Sequence, residues 1–95
     1  MLITNIVSLY VTAYISTGSP CANGQYPTVY HTVAIPRIYP LGSKVEIDGK
    51  WYVGEDRLNK RFTNRVDLFV EDRAIAIKWG KQQKQVTIVY NQERK

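Results

Sequence analysis

A chain of 95 residues makes one domain with a single modest core. Its hydrophobic share of 44% and lack of any low-complexity run exclude a disordered chain. One cysteine, Cys21, and one histidine, His31, exclude an internal disulfide and are too few soft ligands for zinc or an iron–sulfur cluster. Thirteen Lys+Arg against eight Asp+Glu give a net charge of +5, which suits an anionic partner: nucleic acid, an acidic membrane surface or an anionic cell-wall polymer.

In chain order, Met1 to Ile15 is rather apolar. It lacks a basic leader and is interrupted by Thr4, Asn5, Ser8 and Thr12, so it reads as neither a signal peptide nor a membrane span. From Val7 to Ser16 the residues alternate. Val7, Leu9, Val11, Ala13 and Ile15 take one face, and Ser8, Tyr10, Thr12, Tyr14 and Ser16 the other, which predicts a long half-buried strand. Thr17 to Pro27 carries two glycines and two prolines and reads as a loop. Val29 to Ile35 reads as a second strand, broken by Pro36 and Pro40, with Leu41 to Ser43 turning the chain. Lys44–Ile47 and Lys50–Val53 flank Asp48-Gly49, the strongest hairpin signal in the chain.

Next come two carboxylates eleven residues apart, Asp56 and Asp67, with Arg57, Lys60, Arg61 and Arg65 between them. Asp67 lies inside Arg65–Val70, which otherwise reads as a strand, and aspartate is depleted in strands. Val66, Leu68 and Val70 would face one side; Arg65, Asp67 and Phe69 would face the other. An acid beside an aromatic on the less apolar face can have its pKa raised, although it can equally pair with a neighbouring arginine or cap a turn. Glu71 to Trp79 reads as a short helix, with Glu71 and Asp72 suiting its first turn and Gly80 its C-cap. Lys84 to Tyr90 reads as a last strand, and Gln92 to Lys95 as a charged tail. The sum is a mainly β domain spanning residues 1–95: about six short strands and one late helix, a pattern that favours a small closed barrel.

No Gly-rich phosphate loop or other cofactor signature is present. A Cys21–His31 nucleophilic pair can be drawn, but Cys21 lies in the turn-rich segment and no third orienting group is indicated.

The order of the pieces resembles the three-aspartate (3D) domain, a six-stranded double-psi β-barrel. Membrane-bound lytic transglycosylase A and small stationary-phase cell-wall enzymes share it. The resemblance runs from Val11 to about Val89. It rests on Val11–Tyr14, on Thr32–Ala34 followed by Pro40–Ser43, on Gly54–Asp56, on Arg65–Phe69 and on Ala76–Gly80. Cys21–Gly24 and His31–Gly42 also resemble the related rare-lipoprotein-A barrels. Two departures stand out. The family's first aspartate is absent, because Ala34-Ile35 runs straight into Pro36, and its glycine-rich stretch is replaced by Arg57–Lys60.

The resemblance implies a peptidoglycan lytic transglycosylase that needs no cofactor. Asp67 would be the catalytic acid, Asp56 its supporting carboxylate, and Thr12, Tyr14 and Arg65 would line the groove. Exposed aromatics suit the flat faces of sugars, which makes Trp51, Tyr52 and Trp79 candidate platforms, with core packing the ordinary alternative for each. Such a protein would act on the cell wall without inserting stably into a membrane. An initiator Met, small size and no leader would fit a phage-encoded lysis enzyme. Two other readings compete. A non-catalytic polysaccharide-binding module fits the missing aspartate, and a nucleic-acid-binding barrel fits the charge, although no base-stacking motif supports it.

Overall fold

The computed structural model describes residues 1–92, so the rest of the expected charged tail lies outside the described residues. Six strands are present: β1 (Leu2–Tyr14), β2 (Thr32–Ile35), β3 (Lys44–Ile47), β4 (Lys50–Arg57), β5 (Arg65–Phe69) and β6 (Gln82–Asn91). One helix, α1 (Arg73–Trp79), precedes β6. The strands close into a barrel in the order β1-β5-β2-β4-β3-β6. Pairing is mixed: β1 with β5 and β2 with β4 are parallel, and the other four pairs are antiparallel. Closure gives every strand two neighbours, as the pattern of six short strands led one to expect, although the Leu2–Leu9 part of β1 is paired with β6 alone.

Alternation builds the core. Leu9 and Val11 of β1, Val33 and Ile35 of β2, Val45 and Ile47 of β3, Val66 and Leu68 of β5, and Val86 and Ile88 of β6 all point inward and are buried. Asp48 and Gly49 both take positive φ, 53° and 81°, as a two-residue hairpin whose twist matches its strands requires. Asp72 caps α1 by accepting a hydrogen bond from the Ile75 N–H, and Gly80 closes it with φ 61° and an N–H bonded to the Ala76 carbonyl. Glu71 precedes the helix, so the predicted start at Glu71 is two residues early.

Three other boundaries move. β1 begins at Leu2 rather than Val7, because β6 supplies backbone partners as far as Asn91. The predicted strand over Val29–His31 is a turn instead. Tyr30 has φ 61°, and the Thr32 hydroxyl takes the Thr28 N–H at 2.8 Å, so local side-chain bonding displaces ladder bonding. β4 runs on to Arg57, which places Asp56 on a strand and not in a loop.

Between β2 and β4 the register slips by one residue: Val33 opposes Gly54, but Ala34 opposes Asp56. Gly54 is there for space. A Cβ at that position would stand 2.5 Å from Ile35 Cδ1.

Candidate functional site

Register decides which predicted residues meet. Thr12 on β1 lies opposite Asp67 on β5, and Ala34 on β2 is paired with Asp67 on one side and Asp56 on the other. One strand therefore separates the two acids, or roughly 10 Å between their Cα atoms at standard strand spacing. Thr12 and Tyr14, two residues apart on one face of β1, each reach one of them. The Thr12 hydroxyl bonds Asp67 Oδ1, and the Tyr14 hydroxyl donates to Asp56 Oδ2 at 3.5 Å.

Asp67 is half-buried, and its pKa is raised. Burial is the dominant cause, and the nearby Arg65 guanidinium opposes it. Desolvation, and not the charge of Asp56, is the cause. The alternative of a pair with a neighbouring arginine is not met: Arg65 forms no ion pair with Asp67 and acts only as the weaker, opposing charge. Thr12 suits either protonation state. Its hydroxyl can donate to an ionised Asp67, or turn toward the Val66 carbonyl at 3.5 Å and accept from a protonated one.

Asp56 is held from three directions: by Tyr14, by the Ala22 N–H at 3.0 Å and by its own neighbour's Arg57 N–H at 2.9 Å. The turn carrying Ala22 thus closes over the end of β4. Tyr14 has its pKa raised by burial first and then by the negative charges of Asp56 and Asp67, so its hydroxyl stays a donor at any working pH. Thr12 and Tyr14 share one face of β1 and Ala34 is paired with both acids, so the two carboxylates lie on one face of the barrel. Phe69 packs edge-on against the Tyr14 ring, centroids 5.3 Å apart, and gives this strip an apolar wall.

Where the 3D resemblance calls for a glycine-rich stretch, the basic segment that replaces it takes a structural part. The Arg57 guanidinium bonds the Tyr39 carbonyl and, at 3.1 Å, the Pro36 carbonyl, holding the loop that follows β2. Sequence reasoning missed this residue. The signal available was an arginine next to Asp56 in a segment expected to carry glycines.

The remaining candidates scatter. Arg65 opposes Tyr10 on the same face of β1 and β5 as the Thr12–Asp67 pair, so it borders the acid. Trp51 does not. It lies five residues along β4 from Asp56, roughly 17 Å at strand rise, and it is 56% exposed beside a hollow of about 490 Å³ lined with His31, Lys44, Tyr52, Val53 and Val89. Tyr52 is buried in the core. Trp79 packs partly against the core from α1 and leaves part of its surface in a smaller hollow with Ile75, Lys78 and Gln82. Cys21 and His31 make no nucleophilic pair: the thiol is buried with its pKa raised by desolvation, then by Asp56 and Glu55, while His31 Nε2 lies 3.7 Å from Glu55. No α-helix among the described residues is long and apolar enough to cross a membrane. No protein-family model matches this chain, and no curated protein matches it at a significant level.

Proposed function

We propose that this barrel is a peptidoglycan lytic transglycosylase of the 3D type, cleaving the β-1,4 bond between N-acetylmuramic acid and N-acetylglucosamine. The observation that carries the reading is a single half-buried aspartate, Asp67, whose pKa burial raises and whose carboxyl has a hydrogen-bond partner in the Thr12 hydroxyl. Cleavage without water needs one group to act twice. Asp67 in its acid form gives its proton to the leaving glycosidic oxygen. The muramic C6 hydroxyl then attacks the anomeric carbon, and the Asp67 carboxylate takes the hydroxyl proton, which leaves a 1,6-anhydro ring and a restored acid. A hydrolase with two working carboxylates would need a second acid across the scissile bond. Here Asp56 is committed to Tyr14, Ala22 and Arg57, so its part is to position Tyr14 at the groove wall.

Purified protein incubated with murein sacculi should release 1,6-anhydro-muropeptides, and the Asp67→Asn variant should release none. Sacculi left intact by a folded protein would end the enzyme reading. A binding module on the same barrel is the second reading, favoured by Ile35 running directly into Pro36 where the resemblance calls for an acid.

A further inference from the structure

Next to Asp67 the outer face of β1 and β5 carries a cluster that the cleavage step does not use. Arg65 opposes Tyr10 in register, one same-face pair along from Thr12 and Asp67. The Arg65 guanidinium lies 4.2 Å from the Phe62 ring centre, with Arg61 at 4.7 Å from the same ring, and Lys81 Nζ sits 4.4 Å from the centre of the Tyr10 ring. Three cations are thus shelved on two aromatic rings. Local bonds hold the shelf in place: Asn59 accepts from the Arg61 N–H at 3.1 Å through its side chain and from the Phe62 N–H at 2.9 Å through its carbonyl, and the Tyr10 N–H bonds the Asn64 carbonyl at 2.9 Å.

None of Arg61, Arg65 and Lys81 forms an ion pair among the described residues, whose two such pairs are His31–Glu55 and Lys84–Asp48. Arg65 Nε is buried and has no hydrogen-bond partner there. A buried donor left unmatched is costly, whereas a charge-assisted bond to a carboxylate is among the stronger polar contacts. Stacking on a ring presets the guanidinium plane and leaves its edge open to a planar anion.

We infer that Arg61, Arg65 and Lys81, shelved on Phe62 and Tyr10, form a subsite for a carboxylate carried by the glycan strand beside the bond that Asp67 cuts. The identity of the strand rests on the function proposed above; the anion site itself stands on the cluster. In a peptidoglycan strand the carboxylate is one on the attached peptide, or, where muramic acid carries no peptide, that of its lactyl ether, since the amide bond to the peptide consumes the lactyl carboxyl. Both offer the same chemistry to the shelf. The neutral N-acetylglucosamine rings offer none.

The test is cosedimentation of the non-cleaving Asp67→Asn protein, with and without Arg61→Gln and Lys81→Gln, both exposed changes that spare the core. Three glycans serve as probes: intact sacculi, strands stripped of peptide by an amidase, and a neutral chitooligosaccharide followed by calorimetry. The double change should weaken retention on intact sacculi about tenfold, as loss of charge-assisted contacts predicts, and leave the neutral oligomer unaffected. Loss confined to intact sacculi assigns a carboxylate on the peptide; loss on stripped strands as well shows that the lactyl carboxylate, freed there by the amidase, is also taken. Retention that ignores the double change, or that matches the affinity for the neutral oligomer, overturns the subsite. So does displacement of sacculi by a single-stranded oligonucleotide at low salt, which would make the shelf a nucleic-acid site. If wild-type protein releases no anhydro product yet retention still depends on Arg61 and Lys81, the subsite stands and only the catalytic reading falls.

Discussion

Two stretches of the same barrel wall meet different chemical demands. Across β1, β5, β2 and the end of β4, the face around Asp67 brings together two carboxylates, a threonine and a tyrosine, each hydrogen-bonded to another member or to the backbone. Across β6, β3 and the start of β4, the face around Trp51 is an apolar hollow with Lys44 and His31 as its polar lining. The first region is half-buried, so it can hold a proton on a carboxyl group. The second exposes a tryptophan, and no carboxyl group lines its hollow. The half-buried acids and the exposed tryptophan therefore occupy different places, although both regions reach β4, and a single groove containing Trp51, Asp56 and Asp67 is not what the fold provides.

The sharpest way to break this comparison is Asp67→Asn. It should abolish release of anhydro-muropeptides, a loss of about 10²–10⁴-fold for a general acid–base group, and leave the barrel folded by circular dichroism. Activity surviving that change would move the chemistry out of the acidic strip. Next in size is Gly54→Ala, on β4 between the two regions. The new methyl meets Ile35 and should cost about 1–3 kcal/mol, read as a lower urea midpoint. A neutral result would show that the β2–β4 slip can relax, and with it the placement of Asp56.

Smaller effects refine the picture. Tyr14→Phe removes a donor to Asp56 and should cost about 1 kcal/mol, with cleavage slowed more than binding. Acidity adds a signed test. Asp67 binds its proton more tightly in the folded chain than in the unfolded one. Its contribution to stability is thus fully present in acid and is lost as pH rises from the ordinary carboxyl range through the raised folded value. Cleavage that needs the acid form should decline over the same rise. In Asp67→Asn the stability slope over that window should flatten; an unchanged slope would assign it to other groups. Smallest is Trp51→Ala. Loss of an exposed ring should leave stability within about 0.5 kcal/mol and leave the rate on soluble fragments unchanged. A matching loss of rate would join the two regions that the fold separates.

Much of the architecture was legible residue by residue. The alternation of Leu9 and Val11, of Val66 and Leu68, and of Val86 and Ile88 announces strands with one buried face, and each of these side chains is buried. Asp48-Gly49 announces its own turn. The failures have a common cause. Val29–His31 has strand-forming residues, yet the Thr32 hydroxyl and a left-handed Tyr30 turn the chain there. Trp51 and Trp79 were both sugar platforms on paper, but a residue's type does not say which wall of a barrel it will stand on.

What the amino-acid order alone determined was the inventory: which residues face inward, where the hairpin and the helix C-cap fall, and that an aspartate sits where a strand would not ordinarily want one. Those properties depend on neighbours two to four positions away. Which acids share a face was decided by the closed sheet, through β1 lying parallel to β5 and β2 lying between β5 and β4. The raised pKa of Asp67 and the unmatched nitrogen of Arg65 were settled there too. Both come from solvent excluded by strands distant in the chain, and desolvation is a property of the assembled wall.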